Sequence, residues 1–242
     1  MSRDFFMRDA ILERNLQTVK AKVTQACKKT GRNPAEVTLM AVTKYAADRD
    51  VLSLAEKGLL TDIGESRVQQ AWKRWKENPA FARFTVTKHF IGHLQKNKAA
   101  KAAALFDFID SLDSFETAQA LSKHVPAGKV LRVLVQVKLT ARETQTGLPL
   151  PQARALAEQL KTACLPGLQV CGYMGIAPQN AQEEELRRLF RAVKEAFEED
   201  FSSVPKRYLS LGMSHDFVTA VEEGSTLIRV GSGLFAINLE EV

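Results

Sequence analysis

Apolar positions along this chain fall into two alternating patterns. Between residues 4 and 29, Ile11, Leu12, Leu16, Val19, Val23 and Ala26 recur at helical spacing and predict an N-terminal helix. Short runs of apolar and β-branched residues then punctuate the sequence, at 37–43, 60–64, 86–91, 105–110, 131–137, 168–174, 207–210 and 226–230. Each predicts a buried strand. Helical patterns follow them, among them one opening at Asp48, one at 66–75, a long charged one at 181–199 and a short one at 216–222. Eight strands, each followed by a helix and joined by short loops, predict an α/β fold, a parallel (β/α)8 TIM barrel with an extra N-terminal helix. A doubly wound open sheet is the competing arrangement, but no GxGxxG follows any strand.

Composition supports one unit. A chain of 242 residues could hold two small domains, yet barrels of this kind use that length as one. No linker rich in Pro, Gly or Ser interrupts the alternation, so residues 1–242 are read as one domain. Apolar residues make up 45% of the chain, enough for a sizeable core, and no run approaches the roughly 18 residues of a membrane span. Charges at Arg3, Asp4, Arg8 and Asp9 fall where a signal peptide needs its apolar stretch. Cys27, Cys164 and Cys171 are odd in number and lack metal-site spacing, so they are read as reduced thiols of a cytoplasmic protein.

Charge changes the picture in one segment. The net charge is +6, and Arg67, Lys73, Arg74, Lys76, Arg83, Lys88, Lys96, Lys98 and Lys101 face only Glu77 within their stretch. Such a segment could attract a phosphorylated ligand or a nucleic acid. It lacks the regular aromatic interleaving of a single-strand groove, and no nucleic-acid module is present. A solvated face is the expectation, without a nucleic-acid or membrane partner.

Candidate chemistry gathers where a barrel would close. Lys44 ends the first strand, where a lysine ordinarily snorkels to solvent. A closed barrel pairs its eighth strand with its first and carries its site at the strands' C-terminal ends. Arg229, near the end of strand eight, would then lie one strand from Lys44. Two neighbouring cations repel unless a ligand or carboxylate lies between them, and an anionic ligand is the economical explanation. The loops after strands seven and eight, 209–216 and 230–233, build the phosphate position of this fold. Gly212, Gly231 and Gly233 let backbone N–H groups approach an oxyanion, and Ser214 is placed as N-cap of the helix 216–222. Phosphate, lysine and arginine together describe pyridoxal 5′-phosphate (PLP), with its aldehyde on Lys44 and its pyridine nitrogen facing Arg229. Arginine stays protonated and donates to an unprotonated ring nitrogen, leaving the ring poorly suited to stabilising a carbanion.

The motifs AVTK at 41–44, HFIGHLQKNK at 89–98, LSLGMSHDF at 209–217 and RVGSGLF at 229–235 carry a family resemblance over residues 14–236. The chain resembles the pyridoxal phosphate homeostasis proteins, YggS-type relatives of the alanine racemase N-terminal barrel with the type III PLP fold. The resemblance implies that Lys44 forms the Schiff base and Arg229 contacts the ring nitrogen. It implies that Ser214, Gly231 and Ser232 hold the phosphate, with backbone help from Gly212 and Met213. Asn97 and Lys98 fall in the motif after strand three. His89 and His93 could be acid/base groups, though satisfied structural histidines are commoner. The chain departs from the family pattern at Ser66 and Arg67 after strand two, at Lys138, Arg142 and Gln145 after strand five, and at Tyr173 in strand six. These departures leave the lysine, arginine and phosphate loops intact and alter the polar shell on the ring's open side.

Carrier and enzyme remain alternatives. The resemblance implies that alanine racemase takes its second base, a tyrosine, from a C-terminal β-domain of a partner subunit, and this sequence stops seven residues past Phe235. Tyr45 adjoins Lys44, but neighbours in an extended strand point to opposite sides. Tyr173 could substitute, although an aromatic packed at the barrel mouth is the blander reading. The expectation is a monomer that stores or delivers PLP, with apo-PLP enzymes as possible recipients and little or no turnover. A one-domain PLP-dependent amino-acid racemase is the alternative, and a phosphosugar-type barrel enzyme without PLP ranks behind it.

Overall fold

The computed structural model describes residues 3–140 and 146–237. Eight parallel strands close into a barrel in sequence order: β1 (Thr38–Val42), β2 (Asp62–Glu65), β3 (Thr87–Phe90), β4 (Phe108–Leu112), β5 (Leu131–Lys138), β6 (Leu168–Ile176), β7 (Tyr208–Ser210) and β8 (Leu227–Val230). Closure is made by β8 on β1, with Met40 opposite Arg229 and Ala41 opposite Val230. The helices are α1 (Arg3–Lys29), α2 (Asp48–Glu56), α3 (Val68–Trp72), α4 (Pro79–Ala82), α5 (Ala99–Leu105), α6 (Phe115–Ser122), α7 (Leu150–Ala163), α8 (Glu183–Phe201), α9 (Phe217–Glu222) and α10 (Ser232–Phe235).

The apolar stripe of α1 is buried at all six positions its spacing marks, and it packs against α2, α9 and α10. The extra helix therefore covers the side of the barrel where β8 meets β1. Two cores result, as a barrel requires. One lies between strands and helices; the other fills the barrel interior with Met40, Val42, Phe108, Leu134, Cys171, Met174 and Leu227. Cys27 and Cys171 are buried and Cys164 exposed, all three as free thiols. Among the described residues no helix is long and apolar enough to cross a membrane.

Two elements differ from expectation for identifiable reasons. The fourth strand runs Phe108–Leu112 rather than 105–110, because the Ala-rich α5 continues through Leu105. Its polar residues hid its extent: Asp110 is buried against His89, and Ser111 Oγ donates to Gly92 O at 2.5 Å. The helix expected at 66–75 starts only at Val68, since Arg67 is extended, and after Trp72 it widens into a π-helical turn, Lys73–Glu77.

Candidate functional site

Lys44 lies two residues beyond β1 rather than at its end, in a turn closed by Ala46 N–H donating to Thr43 O at 3.0 Å. That turn overrides the alternation expected of neighbours in a strand. Lys44 Nζ sits 5.1 Å from the centroid of the Tyr45 ring, a cation–π distance, and both side chains line the same cavity. Tyr45 is 84% exposed and Lys44 half-buried.

The cavity holds about 680 Å3 and opens off one side of the barrel mouth. Its walls come from Val42 and the Lys44 turn, from Ile176 at the end of β6 and the loop after it with Leu186 of α8, from Met213 to Asp216, and from Gly231, Ser232, Phe235 and Ala236. Among the described residues, the loops after β2, β3, β4 and β5 contribute none of its lining. Asn97, Lys98, His93, Ser66, Arg67 and Lys138 therefore stand away from it. Arg142 and Gln145 lie outside the described residues.

The loops after β7 and β8 meet at Ser214, but not as its sequence position suggested. Ser214 does not cap α9; the N-cap is Asp216, which has no side-chain capping bond. Ser214 Oγ instead accepts from the N–H groups of Gly231 and Gly233, each at 3.3 Å, and so ties the two loops together. Ser232 opens α10, where the first N–H groups of a helix lack partners within it. Hydroxyls and amides thus converge on one corner of the cavity. Of the expected backbone donors, Met213 N–H is held by Asp216 Oδ1 at 2.5 Å, and Gly212 accepts from Arg229 N–H at 3.0 Å.

Arg229 is 2% exposed on the inner side of β8, below the cavity rather than in its wall. Its guanidinium donates to Ser210 O and Ser210 Oγ at 2.8 Å, and to Gly175 O at 2.8 Å, and so spans β7 and β6. Burial pulls its pKa below the usual arginine range, against Asp110 and Asp216, which favour the charged form. Of the two ways to relieve repulsion between Lys44 and Arg229, a ligand or a carboxylate, Arg229 has carboxylates at hand in Asp110 and Asp216, so an anionic ligand is not required by that repulsion. Asp216 carried no signal of its own in the sequence beyond its place in the loop.

His89 is a structural cation. It is 1% exposed, stacks on Phe108 with centroids 4.3 Å apart, and places Nδ1 3.0 Å from Asp110 and Nε2 3.3 Å from Asp62. Burial alone would lower its pKa, but the two carboxylates outweigh that and raise it to about 9. Tyr173 points outward, its hydroxyl donating to Asp200 of α8 at 2.6 Å and its ring against Phe201. Burial and Asp200 raise its pKa, and it serves packing, not the site.

A closed parallel barrel with a lysine and a corner of hydroxyls and amides at its C-terminal mouth has the fold that alanine racemases also use. An alanine racemase from Clostridium difficile matches 96% of this chain and 58% of its own with a TM-score of 0.70 at 13% identity, a likeness of fold. No protein-family model matches the chain. A pyridoxal phosphate homeostasis protein from Pseudomonas aeruginosa is 33% identical over 222 residues, covering 91% of this chain and 93% of that one. The structure of PipY from Synechococcus elongatus with PLP bound is 32% identical, with a TM-score of 0.73 over 89% of this chain and 100% of that one. The chain belongs to the pyridoxal phosphate homeostasis protein family.

Proposed function

We propose that this chain holds pyridoxal 5′-phosphate through a Schiff base to Lys44 and works in cofactor homeostasis, storing and delivering PLP with little or no turnover. The observation that carries this reading is the cavity that joins Lys44 to the hydroxyl-and-amide corner of Ser214, Gly231 and Ser232. Its relatives' names and the PLP-bound PipY structure support it. When bound, the cofactor supplies an aldehyde that condenses with a primary amine. The donor set suits it. Lys44 offers the amine, and the mostly apolar walls would exclude water from the ring. The hydroxyls of Ser214 and Ser232 would take the phosphate, joined by the Gly231 amide where the phosphate replaces Ser214 Oγ as its acceptor, with Gly212 and Met213 shaping the loop behind them. Arg229, a donor only, could serve an unprotonated ring nitrogen only from beneath the cavity wall, through the donors that Ser210 and Gly175 leave free. In this reading the chain acts as a cytoplasmic monomer with apo-PLP enzymes as recipients.

Purified protein, reconstituted with PLP, should absorb in the visible, and borohydride should fix the cofactor on the peptide containing Lys44. A protein that stays colourless after reconstitution overturns the reading. Transfer to an apo-enzyme tests delivery, and gel filtration tests the monomer. One observation favours the racemase alternative: Tyr45, expected to face away, lines the Lys44 cavity. Deuterium exchange at Cα across a panel of amino acids separates the two. Sustained exchange that disappears in Lys44→Ala would make the chain an enzyme.

A further inference from the structure

The turn that carries Lys44 is gripped from outside the cavity by one side chain. Arg74 donates through one terminal nitrogen to Thr43 O at 2.8 Å and through the other to Ala46 O at 3.0 Å, so it holds both ends of the four-residue turn. Its Nε donates to Asp48 Oδ1 at 2.8 Å, just beyond the turn. The same guanidinium reaches Glu65 Oε1 at 2.9 Å, and Glu65 is 2% exposed at the end of β2. Glu65 also accepts from Thr43 Oγ1 at 2.8 Å and from Trp75 Nε1 at 3.1 Å. A buried carboxylate thus anchors the cation, and the cation anchors the turn. The anchoring side chains stand in the π-helical turn after α3, which lets the consecutive residues Arg74 and Trp75 converge on one oxygen; such turns recur at functional sites. Arg74 is therefore not part of a solvated basic face: its side chain is 16% exposed.

We infer that Arg74 is a positioning residue for Lys44, fixing the direction from which the amine meets its carbonyl partner. The inference rests on the reading of Lys44 as the cofactor's amine. The reasoning is geometric. Lys44 and Tyr45 are the two central residues of the turn, and their side chains follow its backbone. A planar guanidinium with donors in a fixed fork can hold two carbonyls, a carboxylate and the turn's far side at once, which an ammonium cannot. An amine displaced by about 1 Å loses reactivity by one to two orders of magnitude. The phosphate corner is built by the loops after β7 and β8 and by α10, and among the described residues no hydrogen bond of Arg74 reaches it, so the two halves of binding should separate.

The test compares two ligands on wild type, Arg74→Ala, Arg74→Lys and Asp48→Asn. PLP reports both halves of the site; pyridoxine 5′-phosphate, which lacks the aldehyde, reports the phosphate half alone. In Arg74→Ala, PLP affinity and the rate of borohydride-fixed labelling at Lys44 should each fall about tenfold or more. Pyridoxine 5′-phosphate affinity should stay within about twofold, as expected for independent sites. Arg74→Lys should recover only part of the loss. Asp48→Asn, which removes one exposed partner and leaves Glu65 satisfied, should show a smaller loss of the same selective kind and guards against misfolding of the alanine variant. Equal loss of both ligands, or loss of neither, overturns the inference. Wild-type protein that binds neither ligand overturns the cofactor reading itself, and is thereby told apart from failure of Arg74 alone.

Discussion

Lys44 and His89 show how differently two cations can sit in one barrel. Lys44 is half-buried at the rim of a cavity, held over Tyr45 and free of any ion pair among the described residues, so the fold does not depend on it. Lys44→Ala should abolish borohydride-fixed PLP while moving stability by less than about 0.5 kcal/mol, the ordinary range for a partly exposed side chain; a melt of the apo-protein checks this. His89 is the opposite case, enclosed between Asp110 and Asp62 with its pKa raised to about 9. Its charged form is favoured in the folded chain. Its contribution to stability is therefore complete below the unfolded value near 6.5 and is lost as pH rises through about 9. Denaturant titrations at steps between those limits should show stability declining with pH by an amount on the order of 3 kcal/mol. His89→Gln should flatten that decline and lower stability by about 3–5 kcal/mol at pH 6, since it strands the buried carboxylate of Asp110. A decline that persists in the glutamine variant would assign the titration to another group.

At the scale of elements, the loops after β7 and β8 meet at Ser214, through contacts that differ from the expected ones. Gly212 has φ +93°, and a Cβ there would stand 2.7 Å from Phe217 Cα and 2.7 Å from Ala220 Cβ. It is a glycine because α9 packs directly on the loop. Gly212→Ala should cost about 2–4 kcal/mol in thermal or urea melts and weaken phosphate binding with it. Gly231→Ala meets Val42 Cβ only at 3.4 Å, an ordinary contact, and should cost less than about 1 kcal/mol. Equal effects of the two substitutions would remove packing as the reason for Gly212. Eight strands and their order were legible because buried parallel strands read as unbroken apolar runs. The loop glycines and Ser214 were legible because such residues cluster where strands of this fold end. The shift of β4 was not, because Asp110 and Ser111 are polar residues satisfied inside the barrel. The convergence of Arg74, Glu65 and Thr43 was not either, since it joins a loop, a strand end and a π-helical turn that local periodicity cannot relate. Tyr45 was misplaced because the turn begins before Lys44, which ends the strand's alternation.

For the molecule as a whole, the candidate site straddles the closure of the barrel. The Lys44 turn follows β1 near the beginning of the chain, and Ser214, Gly231 and Ser232 follow β7 and β8 near its end. The β8–β1 pairing brings these together, and α1 reinforces the same seam by packing on α2, α9 and α10. A ligand held at both the turn and the corner would tie first strand to last, and can do so only in the closed barrel. Binding that is confined to the folded state stabilises by about 2.7 kcal/mol at a hundredfold excess over Kd. For a chain of this size that corresponds to a rise in melting temperature of roughly 5–11 °C. PLP should produce that rise in the wild type. Inorganic phosphate, occupying the corner alone, should produce a shift that saturates far higher in concentration and is unchanged in Lys44→Ala. If Lys44→Ala still gives the full PLP shift at the same concentrations, the cofactor is held by its phosphate and ring without the covalent link, and storage at this site would be noncovalent. If PLP gives no shift in the wild type, the seam is not bridged and the cavity serves another ligand.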